Sequence, residues 1–229
     1  PDNQYTVNKN TVTPAKNFNG FLTVIVRVKD KDNNPSNAFN LSVLVNAVND
    51  APEITRLETT ALVYDHGAGP LVLTATLKLE DVDNDHLSFA GIRFGTENYR
   101  KGYDELLFTN TDNIRGVFDN ATGELSLIGY ATLAEYEDAI RAVTYTYHLI
   151  QDEQGNGSEI PPGERTVILQ VHDGQLASEP RMRTIMMETT ASLDIPTAFT
   201  PNGDGANETW NIQALSNADK CEDAVIRVY

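Results

Sequence analysis

The feature that most constrains this chain is its repeated two-residue alternation of β-branched and polar side chains in short runs. Successive side chains of a strand point to opposite faces, so such runs suit half-buried strands and cannot line one face of a helix. Phe21–Val28 is one such run, and it closes in the polar cluster KDKDNNPSN. Asn40–Val45 follows, so the two predict a hairpin-like unit around a long acidic loop. Pro52 interrupts the ladder. A second series then predicts strands over Leu71–Leu79, Leu87–Phe94, Glu124–Ile128, Ala142–Leu149, Thr166–Val171 and Arg183–Glu188. Turn-forming clusters separate them, including Asn84-Asp85, Asn120–Gly123 and Gln154–Gly157.

One stretch departs from this period. Leu133, Tyr136 and Ile140 fall at helical spacing, with Thr132 placed as an N-cap and Glu135 three residues on. A short helix with a structural role is expected there. Many short strands with almost no helix predict an all-β fold of tandem immunoglobulin-like β-sandwiches. Val26-Arg27-Val28-Lys29-Asp30 recurs as Leu169-Gln170-Val171-His172-Asp173, each in a late strand before an acidic turn. This points to two copies of one unit, the first lacking its N-terminal part.

Charge narrows the partners. The 229 residues carry 33 acidic and 17 basic side chains, a formal net charge of −16. Such a surface repels nucleic acid and anionic membranes, so neither is an expected partner. No apolar run is long enough to span a membrane as a helix. The single cysteine, Cys221, permits neither a disulfide framework nor a Cys-rich zinc site. The polar opening PDNQYTVNKN has none of the marks of a signal peptide.

The acidic residues gather in three places: Asn46–Pro52, Asp81–Asp85 and Asn202–Glu208. Calcium takes six to eight oxygen ligands from carboxylates, amides and backbone carbonyls. Asp81, Asp83 and Asp85 alternate as such a site needs, and so do Asn202 and Asp204. An EF-hand beginning at Asp81 fails, because His86 stands at the glycine position and Ile92 at the closing glutamate. Turn chemistry explains the same residue types equally well, since Asp, Asn and Gly form Asx-turns. Both readings stay open on composition alone.

Val45-Asn46-Ala47-Val48-Asn49-Asp50-Ala51-Pro52 resembles the inter-domain linker of cadherin-like repeats. The resemblance implies calcium at the junction. Its ligands would be Asn49 and Asp50 from the linker, Asp81 and Asp83 from a DxD after an early strand, and Asp173 from a late strand end. Asn46 stands where that family usually has an acid, which removes one charge. Asp65 matches an acid before the second strand and would serve the next junction. Asp30 and Asp32 would serve the preceding one. Residues 51–190 resemble a long bacterial cadherin-like repeat through Tyr64-Asp65, Glu80–Asp83, Thr122–Leu127 and Ala131–Tyr145. Residues 1–50 resemble the back part of such a repeat, marked by Thr13–Gly20.

Residues 191–229 resemble the opening of the gliding-motility-associated C-terminal domain, through Ile195–Trp210, IPTAFTPNGDGANETW. That domain is the type B sorting signal of the type IX secretion system in Bacteroidota. The resemblance implies export to the cell surface through the type IX translocon, with an outer-membrane partner of the PorP/SprF kind. Asn202, Asp204, Asn207 and Glu208 would form a second calcium loop. The combined expectation is the C-terminal region of a secreted, adhesin-like cell-surface protein with a calcium-stiffened stalk, and not an enzyme. The alternative is the spacer and export tag of a secreted enzyme such as a polysaccharide hydrolase. His66, His86, His148 and His172 are dispersed without metalloprotease spacing, and no serine lies in a nucleophile elbow. Tyr99 and Tyr103 are the candidates for carbohydrate contact.

Overall fold

The computed structural model describes residues 4–65, 68–149 and 163–187. It is mostly β, with one short helix. Two hairpins come first: β1 (Tyr5–Asn8) with β2 (Thr11–Pro14), and β3 (Gly20–Val26) with β4 (Phe39–Val45). After the linker, β5 (Glu53–Arg56) pairs with β8 (Lys78–Glu80). A six-stranded sheet follows the order β11-β12-β9-β14-β15-β6. Its members are β11 (Arg115–Asp119), β12 (Glu124–Thr132), β9 (His86–Phe94), β14 (Gly163–His172), β15 (Arg181–Met187) and β6 (Leu62–Tyr64). Every pairing in it is antiparallel except β15 with β6. A three-stranded sheet sets β13 (Thr144–Tyr147) between β10 (Asp104–Leu107) and β7 (Leu71–Val72).

The core follows from the alternation. Leu87, Ile92 and Phe94 of β9, Leu125 and Leu127 of β12, and Val167, Leu169 and Val171 of β14 are all buried. Tyr145 brings the three-stranded sheet to this core, its ring 4.9 Å from Tyr64 and 5.8 Å from Phe94, edge-on to both. A buried ion pair lies beside it. The Arg165 Nε donates to both oxygens of Asp104 at 3.0 and 2.9 Å, and the Tyr145 hydroxyl donates to the same carboxylate at 2.7 Å. Burial pushes the Tyr145 phenol well above its ordinary pKa, and the Asp104 charge adds to this. The Arg165 Nη2 is buried without a hydrogen-bond partner among the described residues.

The helix α1 (Leu133–Arg141) forms where the apolar spacing placed it, and Thr132 caps it. Thr132 Oγ1 accepts from the Glu135 N–H at 3.3 Å, and the Glu135 carboxylate accepts from the Thr132 N–H at 2.8 Å. That reciprocal pair is a capping box. Tyr136 is fully buried, and its hydroxyl donates to the Gly129 carbonyl at 2.6 Å. Gly129 lies in an irregularity where β12 shifts register between Ile128 and Ala131. A Cβ there would stand 1.9 Å from the Asn113 carbonyl oxygen, so the bulge needs glycine for close backbone approach. Glu137, also buried, accepts from Lys78 Nζ at 2.6 Å, the Leu79 N–H at 2.9 Å and Arg141 Nη2 at 2.8 Å. These bonds tie the helix to β8.

One expected strand is not continuous. Leu71–Leu79 divides into β7 and β8 around a turn. Glu58 causes the break. Its carboxylate accepts from the Thr74 hydroxyl at 2.6 Å and from the Ala75 and Thr76 N–H groups at 2.9 Å each. A side chain thus takes donors that a ladder would have used. Leu73 and Leu77 are both fully buried, which is why the turn carries an apolar pattern. Strands β1, β2, β5, β6, β10 and β11 add to those expected from the sequence. No helix among the described residues is long and apolar enough to cross a membrane.

Candidate functional site: the junction at Asn49 and Asp50

Three separate segments meet where the linker reaches β5. The linker supplies Asn49 and Asp50, the β8–β9 loop supplies Asp81, Asp83 and Asn84, and the β14–β15 turn supplies Asp173 and Gln175. Asn49 Nδ2 donates to Asp173 Oδ2 at 2.7 Å, across 124 positions of sequence. The Asp50 N–H points at the Asp83 carboxylate, at 3.4 and 3.3 Å from its two oxygens. The structure therefore brings Asn49, Asp50, Asp81, Asp83 and Asp173 together.

Each carboxylate is held differently. Asp81 Oδ1 accepts from the Asp83 and Asn84 N–H groups at 3.1 and 3.0 Å, an Asx-turn that folds the loop. Its other oxygen, Oδ2, is buried and has no hydrogen-bond partner among the described residues. Burial raises the Asp81 pKa, and the neighbouring Asp83 carboxylate pushes the same way. The Asp173 side chain is only 1% exposed. Burial pushes its pKa up, but the Asn49 amide and the Leu176 and Gln175 N–H groups outweigh that and leave it lowered. Those two N–H groups donate to Oδ1 at 2.7 and 2.6 Å.

Asn84 occupies the centre. Its Nδ2 lies 3.0 Å from Asn49 Oδ1, 3.4 Å from Asp83 Oδ1 and 3.5 Å from Asp173 Oδ2. One partly positive amide group thus faces an oxygen from each of the three segments. Gln175 Nε2 donates to Asn49 Oδ1 at 2.9 Å. Amides bridge the acids, and among the described residues no three His, Cys, Asp or Glu side chains are grouped as metal ligands. The donor set is nonetheless all oxygen, of the hard kind that suits calcium and magnesium.

Asn84 and Gln175 are the residues that sequence reasoning missed. Asn84 was legible only as a turn former, although its place inside Asp81-Val82-Asp83-Asn84-Asp85 put it next to the carboxylates. Gln175 carried no signal.

Asp65 does not join the cluster. It follows β6, whose Tyr64 pairs with Met187, and Met187 pairs with Gly163 at the far end of β14 from Asp173. Asp30 lies in the loop between β3 and β4, where Oδ1 accepts from the Asp32 and Asn34 N–H groups at 2.9 Å each. Asp32 forms an exposed pair with Lys31 at 3.9 Å. Asn202, Asp204, Asn207 and Glu208 lie outside the described residues, as does the whole of 191–229. Tyr99 is half-buried. It stacks on Phe94 at 5.3 Å, and its hydroxyl donates to the Asn120 carbonyl at 2.7 Å. Tyr103 likewise stacks on Tyr147, at 5.5 Å. No protein-family profile and no curated protein matches this chain.

Proposed function

We propose that the chain is the C-terminal region of a large secreted, adhesin-like protein, built of tandem cadherin-like β-sandwiches joined through a calcium site. Residues 1–50 close one repeat, 51–190 form a complete repeat, and 191–229 begin a type B sorting domain for type IX secretion. The observation that carries the calcium reading is the convergence of three segments around the Asn84 amide, with the buried Asp81 Oδ2 left unpartnered. An unsatisfied buried carboxylate oxygen costs free energy that a cation would recover. The amide nitrogen offsets the surrounding negative charge weakly, and a divalent ion would do so strongly. Asp81, Asp83 and Asp173 would supply carboxylate oxygens, and Asn49, Asp50 and Asn84 amide, carboxylate or backbone oxygens. Bound calcium would tie the linker to the following repeat and fix their relative orientation. The export assignment rests on the resemblance of Ile195–Trp210 to the sorting domain. The type IX translocon and an outer-membrane protein of the PorP/SprF kind are the partners it implies.

Thermal melting with calcium and with a chelator tests the site. At a free concentration 100 times Kd, calcium should add about 2.7 kcal/mol to stability. Asp81→Asn or Asp173→Asn should remove most of that increment. Equal melting temperatures with calcium and with chelator would refute the calcium reading.

A further inference from the structure

The two halves of the described chain share more than a short motif. Gly20, Thr23, Val24, Ile25, Val28 and Asp30 are matched at constant spacing by Gly163, Thr166, Val167, Ile168, Val171 and Asp173. Gly20 and Gly163 each open their strand with positive φ, +104° and +133°. The hairpin registers agree as well. Gly20 pairs with Val45, Leu22 with Val43 and Val24 with Leu41. Gly163 pairs with Met187, Arg165 with Ile185 and Val167 with Arg183. Beyond the strands the turn bonds repeat. The Ser36 N–H donates to the Val28 carbonyl at 2.7 Å and the Val28 N–H to the Ser36 hydroxyl at 3.1 Å. The Ser178 N–H donates to the Val171 carbonyl at 2.8 Å and the Val171 N–H to the Ser178 hydroxyl at 3.1 Å. Asp30 and Asp173 each accept from two N–H groups of their own turn. Hairpin β3–β4 is thus the structural equivalent of β14–β15.

Their surroundings differ. β14 is flanked by antiparallel β9, and β15 by parallel β6. β3 and β4 pair only with each other among the described residues. Val28 is 73% exposed where its equivalent Val171 is 1%, and Val43 is 39% exposed where Ile185 is 0%. Phe39, Leu41 and Val26 are exposed on the same face, where only Leu22 and Val24 are already covered, at 1% and 5% exposure. An apolar strand face with two open edges is an incomplete sheet.

We propose that hairpin β3–β4 is the docking site for a β-sheet contributed by the part of the same polypeptide that precedes Pro1. One strand, the counterpart of β9, runs antiparallel along β3. Another, the counterpart of β6, runs parallel along β4. Their inward side chains, with a layer opposite like β10-β13-β7, cover Val26, Val28, Phe39, Leu41 and Val43. The register equivalence dictates both strand directions and the apolar chemistry of the cover. This holds whether or not a cation occupies the junction at Asn49.

Hydrogen exchange followed by mass spectrometry, with a chelator present throughout, tests this on two polypeptides. One is the chain starting at Pro1. The other is the natural polypeptide extended until Gly20 is preceded by as many residues as lie between Ala51 and Gly163. Amides of Gly20–Val26 and Phe39–Val45 should exchange about 100-fold more slowly in the extended polypeptide. Val28→Asp should cancel that protection there and leave the exchange of β14 and β15 unchanged. Equal exchange in both polypeptides overturns the proposal. So does a dimer of the shorter chain that protects these amides to the same degree, because the occupant would then be a second copy.

Discussion

Leu22 and Arg165 stand at the same place in equivalent hairpins, yet one copy buries an aliphatic side chain there and the other a charge. Leu22 is satisfied by contact alone. Arg165 needs Asp104, Tyr145 and the backbone around them. The difference shows how much of a strand's stability belongs to its neighbours. β14 sits between two partners and under a second sheet, whereas β3 has one partner and a face covered at Leu22 and Val24 but exposed at Val26 and Val28. The same sequence pattern therefore has different energetic weight in the two copies.

Substitutions at matched positions should expose that difference, the largest first. Arg165→Met leaves Asp104 buried without its cation and should cost about 3–5 kcal/mol in urea unfolding. Leu22→Met keeps volume and polarity and should cost less than about 1.5 kcal/mol. Adding Asp104→Leu and Tyr145→Phe to Arg165→Met should restore most of the loss, since a buried pair replaced by apolar groups is often neutral and the phenol that donates to Asp104 goes with it. A loss that persists in the triple variant would mean the network contributes net stability. Next, Leu169→Ala should cost about 2–4 kcal/mol through the cavity it opens, and Val26→Ala well under half of that in the chain starting at Pro1. Thr132→Ala removes the cap of α1 and should cost about 1 kcal/mol. Near-ultraviolet circular dichroism should show Tyr136 loosened.

The smallest effects are in pH dependence. Glu58 is a carboxylate with its pKa lowered to about 2: burial pushes it up, but the Thr74, Ala75 and Thr76 bonds prevail. A lowered folded pKa means its contribution is present above about 4.5 and is lost as pH falls toward about 2. Asp173 and Asp30 act in the same direction. Asp81 has the opposite sign. Its raised pKa means that stability falls as pH rises from the ordinary carboxylate value through the folded one. Glu58→Gln should flatten the acid limb of a melting-temperature profile measured in chelator. Asp81→Asn should remove the small decline above it. An unchanged profile for both variants would contradict these directions.

Much of this was legible in the sequence because it is local. The capping box of α1 needs only Thr132 and Glu135 in their spacing, and hairpin β3–β4 announces itself by alternation. The junction residues were also legible in type, since Asn49, Asp50, Asp81, Asp83 and Asp173 do meet. What remained hidden depends on distant partners. The break in Leu71–Leu79 is made by Glu58, and the centre of the junction is Asn84, whose amide looks like any turn residue until the other segments surround it. The short strands β5, β6, β7 and β10 are defined by pairings to remote segments, not by propensity.

The parallel pairing of β6 with β15 has a consequence for tension. The backbone reaches this sheet at Asp50, beside the β14–β15 turn, and β15 ends at Met187, beside Gly163 at the other end of β14. A pull between those two points runs along the strands. It loads the bonds of β15 to β14 and to β6 in shear, so they resist as a group. Each backbone bond adds only about 0.5–1.5 kcal/mol. Breaking them together takes more force than breaking the same bonds one after another, as in peeling a hairpin.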